Sequence, residues 1–166
     1  MSFSIERISG TKQDFYLTLA EQLEHLLEGE TDWLANLANA SALLWMQLDD
    51  INWAGFYLLK EGELVLGPFQ GKPACVRIPV GKGVCGTAAA TKATQLVRDV
   101  HQFPGHIACD AASRSEIVVP ILIGNRVVGV LDIDSPILAR FDETDQAGLE
   151  LFTNKLKAMI DWDRIA

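Results

Sequence analysis

Residues 116–133 read EIVVPILIGNRVVGVLDI: two apolar runs on either side of Gly124 and Asn125. A two-residue Gly/Asn connection between β-prone runs is a hairpin signal, because such tight turns need backbone conformations these residues adopt easily. Two antiparallel strands are therefore expected at residues 116–123 and 126–133. Upstream, residues 51–59 (INWAGFYLL) form an aromatic-rich, β-prone run, Glu61 and Gly62 supply a turn, and residues 63–69 return as a second hairpin. Residues 76–80 read as another strand. GKGVCGTAAATK, residues 81–92, then passes from glycines into a helix-favouring alanine stretch, and a short strand follows near residues 95–98.

Helices flank this β-rich centre. Phe15, Leu19, Leu23, Leu26 and Leu27 fall on one face over residues 12–28, and Gly29 stops the helix. Thr31 and Asp32 offer N-caps for a second helix to about residue 48, with Leu34, Leu37, Leu44 and Leu48 spaced for burial. The last helix opens at Asp142 and buries Leu149, Phe152, Leu156, Met159 and Ile160. Two helices, several strands with one inserted helix, and a closing helix make an α+β protein with a mostly antiparallel sheet. No repeat, linker or composition shift divides the 166 residues, so one domain over 1–166 is expected.

Composition narrows the function. Fourteen Lys and Arg face 22 Asp and Glu, a formal charge of -8 that repels phosphate backbones, so nucleic acid is an unsuitable partner. The longest apolar stretch, residues 117–123, falls far short of the roughly 20 residues of a spanning helix. The start, MSFSIERISG, lacks the basic and apolar regions of a secretory signal, and a cytoplasmic protein is expected. Neither a phosphate-binding GxxxxGK[ST] or GxGxxG loop nor a GxSxG elbow occurs.

Three cysteines, Cys75, Cys85 and Cys109, are an odd count that does not suit a permanent disulfide framework. A Cys3His zinc site with His101 or His106 lacks the short CxxC turn that pre-orients two thiolates, so no metal is expected. Cys109 lies in the polar, irregular stretch 99–115, where a thiolate can be exposed. Cys75 lies in a strand-like stretch, where inert burial and a reactive role are equally open. Cys85 stays open: a helix N-terminus would lower its pKa, yet VCGTAAA is also good packing sequence. Asp132 and Asp134 alternate and so share one sheet face, either as a buried pair or as the solvent face of a strand end. Trp53, Phe56 and Tyr57 suit a core or sheet face as readily as a ligand wall.

INWAGFYL, GPFQGKPACVRIPVGKGVCGTAAAT, DVHQFPGHIACDAASRSEIVVPI and VVGVLDIDS together resemble the free methionine-R-sulfoxide reductases, which are single GAF domains. The resemblance runs from about Phe15 to the final helix; residues 1–11 have no counterpart and read as an unpacked N-terminal extension. It implies a GAF-like α+β fold with terminal helices packed on the sheet, and an oxidoreductase of oxidative stress without cofactor. It makes Cys109 the nucleophile, Cys75 the main resolving cysteine and Cys85 an alternative partner, with thioredoxin reopening a redox-active disulfide. Glu116, Asp132 and Asp134 match the family's acidic substrate residues, and Trp53 and Tyr57 its aromatic pocket side. The oligomeric state stays open, a homodimer included. A second function, a GAF module that senses a small ligand or redox state, differs in needing an output domain, for which this chain has no room.

Overall fold

A computed structural model describes residues 4–165 except residue 108. Helix α1 (Lys12–Leu27) is capped by the Thr11 hydroxyl and α2 (Trp33–Gln47) by the Asp32 carboxylate. Strands β1 (Trp53–Lys60) and β2 (Glu63–Gly71) form the first hairpin, then β3 (Arg77–Pro79), helix α3 (Gly83–Thr91) and β4 (Gln95–Val97) follow. The second hairpin, β5 (Ser115–Ile123) and β6 (Arg126–Ser135), leads to helix α4 (Glu143–Lys157). All pairings are antiparallel, in the order β3-β2-β1-β6-β5-β4, so the two hairpins meet through their long strands β1 and β6. The architecture is the α+β one expected from the sequence.

Strand alternation divides the core. Ala54, Phe56, Leu58, Ile117, Val119, Leu131 and Ile133 face α1, α2 and α4 in one cluster. Their neighbours Trp53, Tyr57, Val118 and Val130 face the other way, against α3. At the α1–α4 contact Gly148 admits Tyr16, since a Cβ there would sit 2.0 Å from its Cγ. The Tyr16 hydroxyl donates to buried Asp145 (2.6 Å), which also completes the capping box with Asp142. No described helix is long and apolar enough to cross a membrane.

Two expectations are corrected. Leu34 is 52% exposed, because Trp33, one turn before Leu37, takes the packing position at the helix start. Described residues 4–11 are not loose: Ile5 and Ile8 pack on the core, and buried Gln47 ties the segment down. Its amide donates to the Glu6 carbonyl (2.7 Å) and its Oε1 accepts from the Ile8 N–H (3.1 Å). Burying that amide requires partners, and the segment's backbone supplies them. Residues 1–3 lie outside the described residues.

Candidate active site

The face of the sheet away from the three long helices carries the chemistry. Register places Trp53 of β1, Asp134 of β6 and Glu116 of β5 side by side across three strands, and Asp132 one step along, between Gly55 and Val118. Directly paired positions share a face, so all three acids project together. Helix α3 together with His106, Ile107 and Cys109 stands over them, so the two aspartates are not a solvent face: Asp132 is buried and Asp134 half-buried. Within residues 99–114 only a single 3-10 turn, Val100–Gln102, is regular among the described residues.

The resulting pocket is lined by Trp53, Tyr57, Cys85, Cys109 and the three acids, and beside them by Lys82, His106 and Ser113. Every residue proposed from sequence is here except Cys75, which reaches the rim through its bond to Cys109. The Cys75–Cys109 disulfide joins Cα atoms 5.7 Å apart across a separation of 34 residues. Cys85 is left as the free, buried thiol, so the Cys3His grouping does not form. The cavity volume is about 40 Å³, room for about three waters at roughly 10–15 Å³ each.

Electrostatically the pocket is loaded with acid. Cys85 Sγ and oxygens of Glu116 and Asp132 lie within 4.8 Å of one another. Asp132 and Asp134 each retain a buried carboxylate oxygen without a hydrogen-bond partner. Burial raises the pKa of Glu116, Asp132 and Asp134, and for Glu116 and Asp134 the neighbouring Asp132 charge adds to it. Cys85 is pushed up for the same reason, burial first and the acids second, which overrides the favourable helix start. His106 Nε2 stands 4.0 Å from Glu116 Oε1, and burial lowers its pKa. A site of this kind can receive a buried cation, keep a proton on a carboxyl, and offer a cysteine sulfur above both.

Nothing in the sequence points to Lys82 and Ser113, and His106 is legible there only as a zinc ligand or a solvated loop histidine. Nothing local distinguishes a histidine that solvates a loop from one that turns toward a strand on the far side of the sheet.

The acids set a pH signature. Carboxyls whose folded pKa lies above the ordinary value near 4 hold more protons folded than unfolded, so stability falls as pH rises through the raised range. His106 acts oppositely between its lowered value and about 6.5. Asp134→Asn removes one of three such acids and relieves its neighbours. Denaturant midpoints measured from pH 4 to 9 are expected to fall less steeply in Asp134→Asn than in the wild type; equal slopes would mean the cluster does not carry protons.

Residues 20–161 match the GAF domain family. A free methionine-R-sulfoxide reductase of Escherichia coli is 57% identical over 149 residues, 90% of each chain. Solved structures of fRMsr of Staphylococcus aureus (54% identity, TM-score 0.84, 93% of this chain and 99% of that one) and of the free methionine-R-sulfoxide reductase of Neisseria meningitidis (45%, TM-score 0.92, 97% of each) are both complexes with substrate.

Proposed function

This chain belongs to the free methionine-R-sulfoxide reductases, a GAF-domain family, and we propose that it converts free L-methionine-R-sulfoxide to methionine through a sulfenic acid on Cys109. The observation that carries this reading is a redox-capable cysteine pair set over three clustered acids, Glu116 and Asp132 buried and Asp134 half-buried, whose pKa values are raised. A thiolate attacks a sulfoxide sulfur effectively only if the departing oxygen takes a proton. The Tyr57 hydroxyl donates to the Cys75 carbonyl, so its hydrogen is already committed and the proton falls to a carboxyl. Burial favours the protonated forms of Glu116, Asp132 and Asp134, which suits one of them as proton donor, and the same cluster receives the substrate ammonium.

Attack forms a bond between the Cys109 sulfur and the sulfoxide sulfur while the protonated oxygen leaves as water. Water then attacks the Cys109 sulfur, loses a proton and breaks that bond, so that methionine departs and Cys109 is left as a sulfenic acid. Cys75 condenses with it, closing the disulfide and expelling water, which halts further oxidation of Cys109. Thioredoxin reopens the bond, and no other cofactor or metal takes part. Trp53 and Tyr57 form the wall for the substrate methyl, and Cys85, buried beside Asp132, is the reserve partner for Cys75. The whole chain acts as one catalytic domain in the cytoplasm, under oxidative stress.

A coupled assay with free methionine-R-sulfoxide, thioredoxin and its reducing system is expected to give sustained methionine production. Stoichiometric ligand binding without product would instead favour a sensor.

A further inference from the structure

The aromatic wall of the pocket also fastens the segment that bears Cys75. Trp53 stacks between Phe69 and Tyr57, with ring centroids 5.0 and 5.9 Å away. Its indole N–H donates to the Lys72 carbonyl at 3.1 Å, and the Tyr57 hydroxyl donates to the Cys75 carbonyl at 2.8 Å. The Leu66 N–H holds the next carbonyl, that of Val76, at 2.8 Å. Residues 72–76 are thus pinned at 72 and 75 by side chains rising from β1 and at 76 by the backbone of β2. Gly71 makes the close passage over the indole: at φ +134° a Cβ would come within 2.7 Å of Trp53 Cδ1.

We propose that Tyr57, with Trp53 beside it, is a positioning residue for the resolving step, holding the backbone of Cys75 so that its thiol stays within reach of Cys109 after the disulfide has been opened. This rests on the reading above, in which Cys109 carries the sulfenic acid and Cys75 resolves it. In that step the Cys75 sulfur attacks the Cys109 sulfur, the S–S bond forms and the S–O bond breaks. Hydroxide leaves and takes up the proton from the Cys75 thiol as water; Cys75 is oxidised and the sulfenic sulfur reduced. The rate follows the fraction of time the thiol spends at bonding distance. A segment released at residue 75 samples more positions, and that fraction falls. The hydroxyl remains a donor across the working pH range, since burial and the nearby acids push its pKa up.

Tyr57→Phe keeps the ring and removes the bond. The reduced variant, given a single equivalent of hydrogen peroxide and no methionine sulfoxide, forms the Cys109 sulfenic acid directly: the thiolate attacks a peroxide oxygen and hydroxide leaves. Trapping the sulfenic acid with dimedone and mapping the Cys75–Cys109 bond by mass spectrometry reads the resolving step alone. We expect the sulfenic acid to live about fivefold longer than in the wild type, the scale of one lost hydrogen bond. The equilibrium constant of the disulfide against glutathione should fall by a similar factor. Trp53→Phe, which loses the Lys72 bond and keeps a ring, should shift both readouts in the same direction, and it carries the test by itself if Tyr57→Phe does not fold. Wild-type lifetimes with the sulfenic acid on Cys109 overturn the positioning role only. A sulfenic acid found elsewhere overturns the underlying assignment of Cys109 as well.

Discussion

Cys109→Ser is expected to reduce methionine formation to the uncatalysed background, while Cys75→Ser releases about one methionine per active site and then stalls. The asymmetry follows from the division of labour across the disulfide. Without Cys109 the sulfur left beside the acids is that of buried Cys85, whose raised pKa keeps it from the thiolate form, and a serine hydroxyl is far too weak a nucleophile at neutral pH to replace a thiolate. Without Cys75 the first attack still proceeds, but the sulfenic acid has no partner above the pocket and awaits external thiol. Rapid-quench measurement of methionine against enzyme concentration separates the two. Cys85→Ser is expected to be milder, since that thiol lies buried with its pKa raised and carries little thiolate. Sustained turnover by Cys109→Ser would refute the assignment, and a burst blocked by Cys85→Ser alone would exchange the roles of the cysteines.

The second large effect concerns the free amino group of the substrate. Asp132 and Asp134 each bury an oxygen with no partner, a costly arrangement that an ammonium would relieve. Methionine sulfoxide inside a peptide lacks that ammonium and brings flanking chain to a cavity of only about 40 Å³ in the disulfide form. Sites that hydrogen-bond a polar group can reject analogues lacking it by roughly 10⁴-fold, so activity on N-acetylated R-sulfoxide is expected to fall by about that factor. The S epimer should fail too, because inversion moves the oxygen off the acid and the methyl away from Trp53. Asp134→Asn and Glu116→Gln should each lose most of kcat/KM. Similar kcat/KM for free and N-acetylated substrate would exclude the ammonium model whatever the cysteines do.

What the sequence made legible was whatever depends on short periods. The Gly124–Asn125 turn, the Asp132/Asp134 alternation and the stripe of α1 each follow from neighbouring residues, and each stands in the structure. The lateral order of strands does not: nothing local tells β1 to lie against β6 rather than stop at its own hairpin. The meeting of Trp53, Asp134 and Glu116 in one row depends on that order. The resemblance could group those residues, whereas their separations along the chain, 63 positions from Trp53 to Glu116 and 18 from Glu116 to Asp134, could not. Cys85 stayed undecided because a helix start and a buried acid cluster act oppositely on a thiol, and only the packing of α3 reveals that burial wins. Leu34 erred for a similar reason, since periodicity gives the phase of a stripe and leaves its ends to the tertiary partner.

Cys75 departs from the turn between β2 and β3 at one end of the sheet, and Cys109 from the passage between β4 and β5 at the other. Their bond therefore works as a clasp closing a belt around the pocket face. Cross-linking residues 34 apart removes chain entropy from the unfolded state worth about 4 kcal/mol, a large part of the 5–15 kcal/mol that holds a typical domain folded. In the proposed cycle a buckled, more stable protein therefore alternates with an unbuckled one, and the form that would admit substrate is the looser of the two.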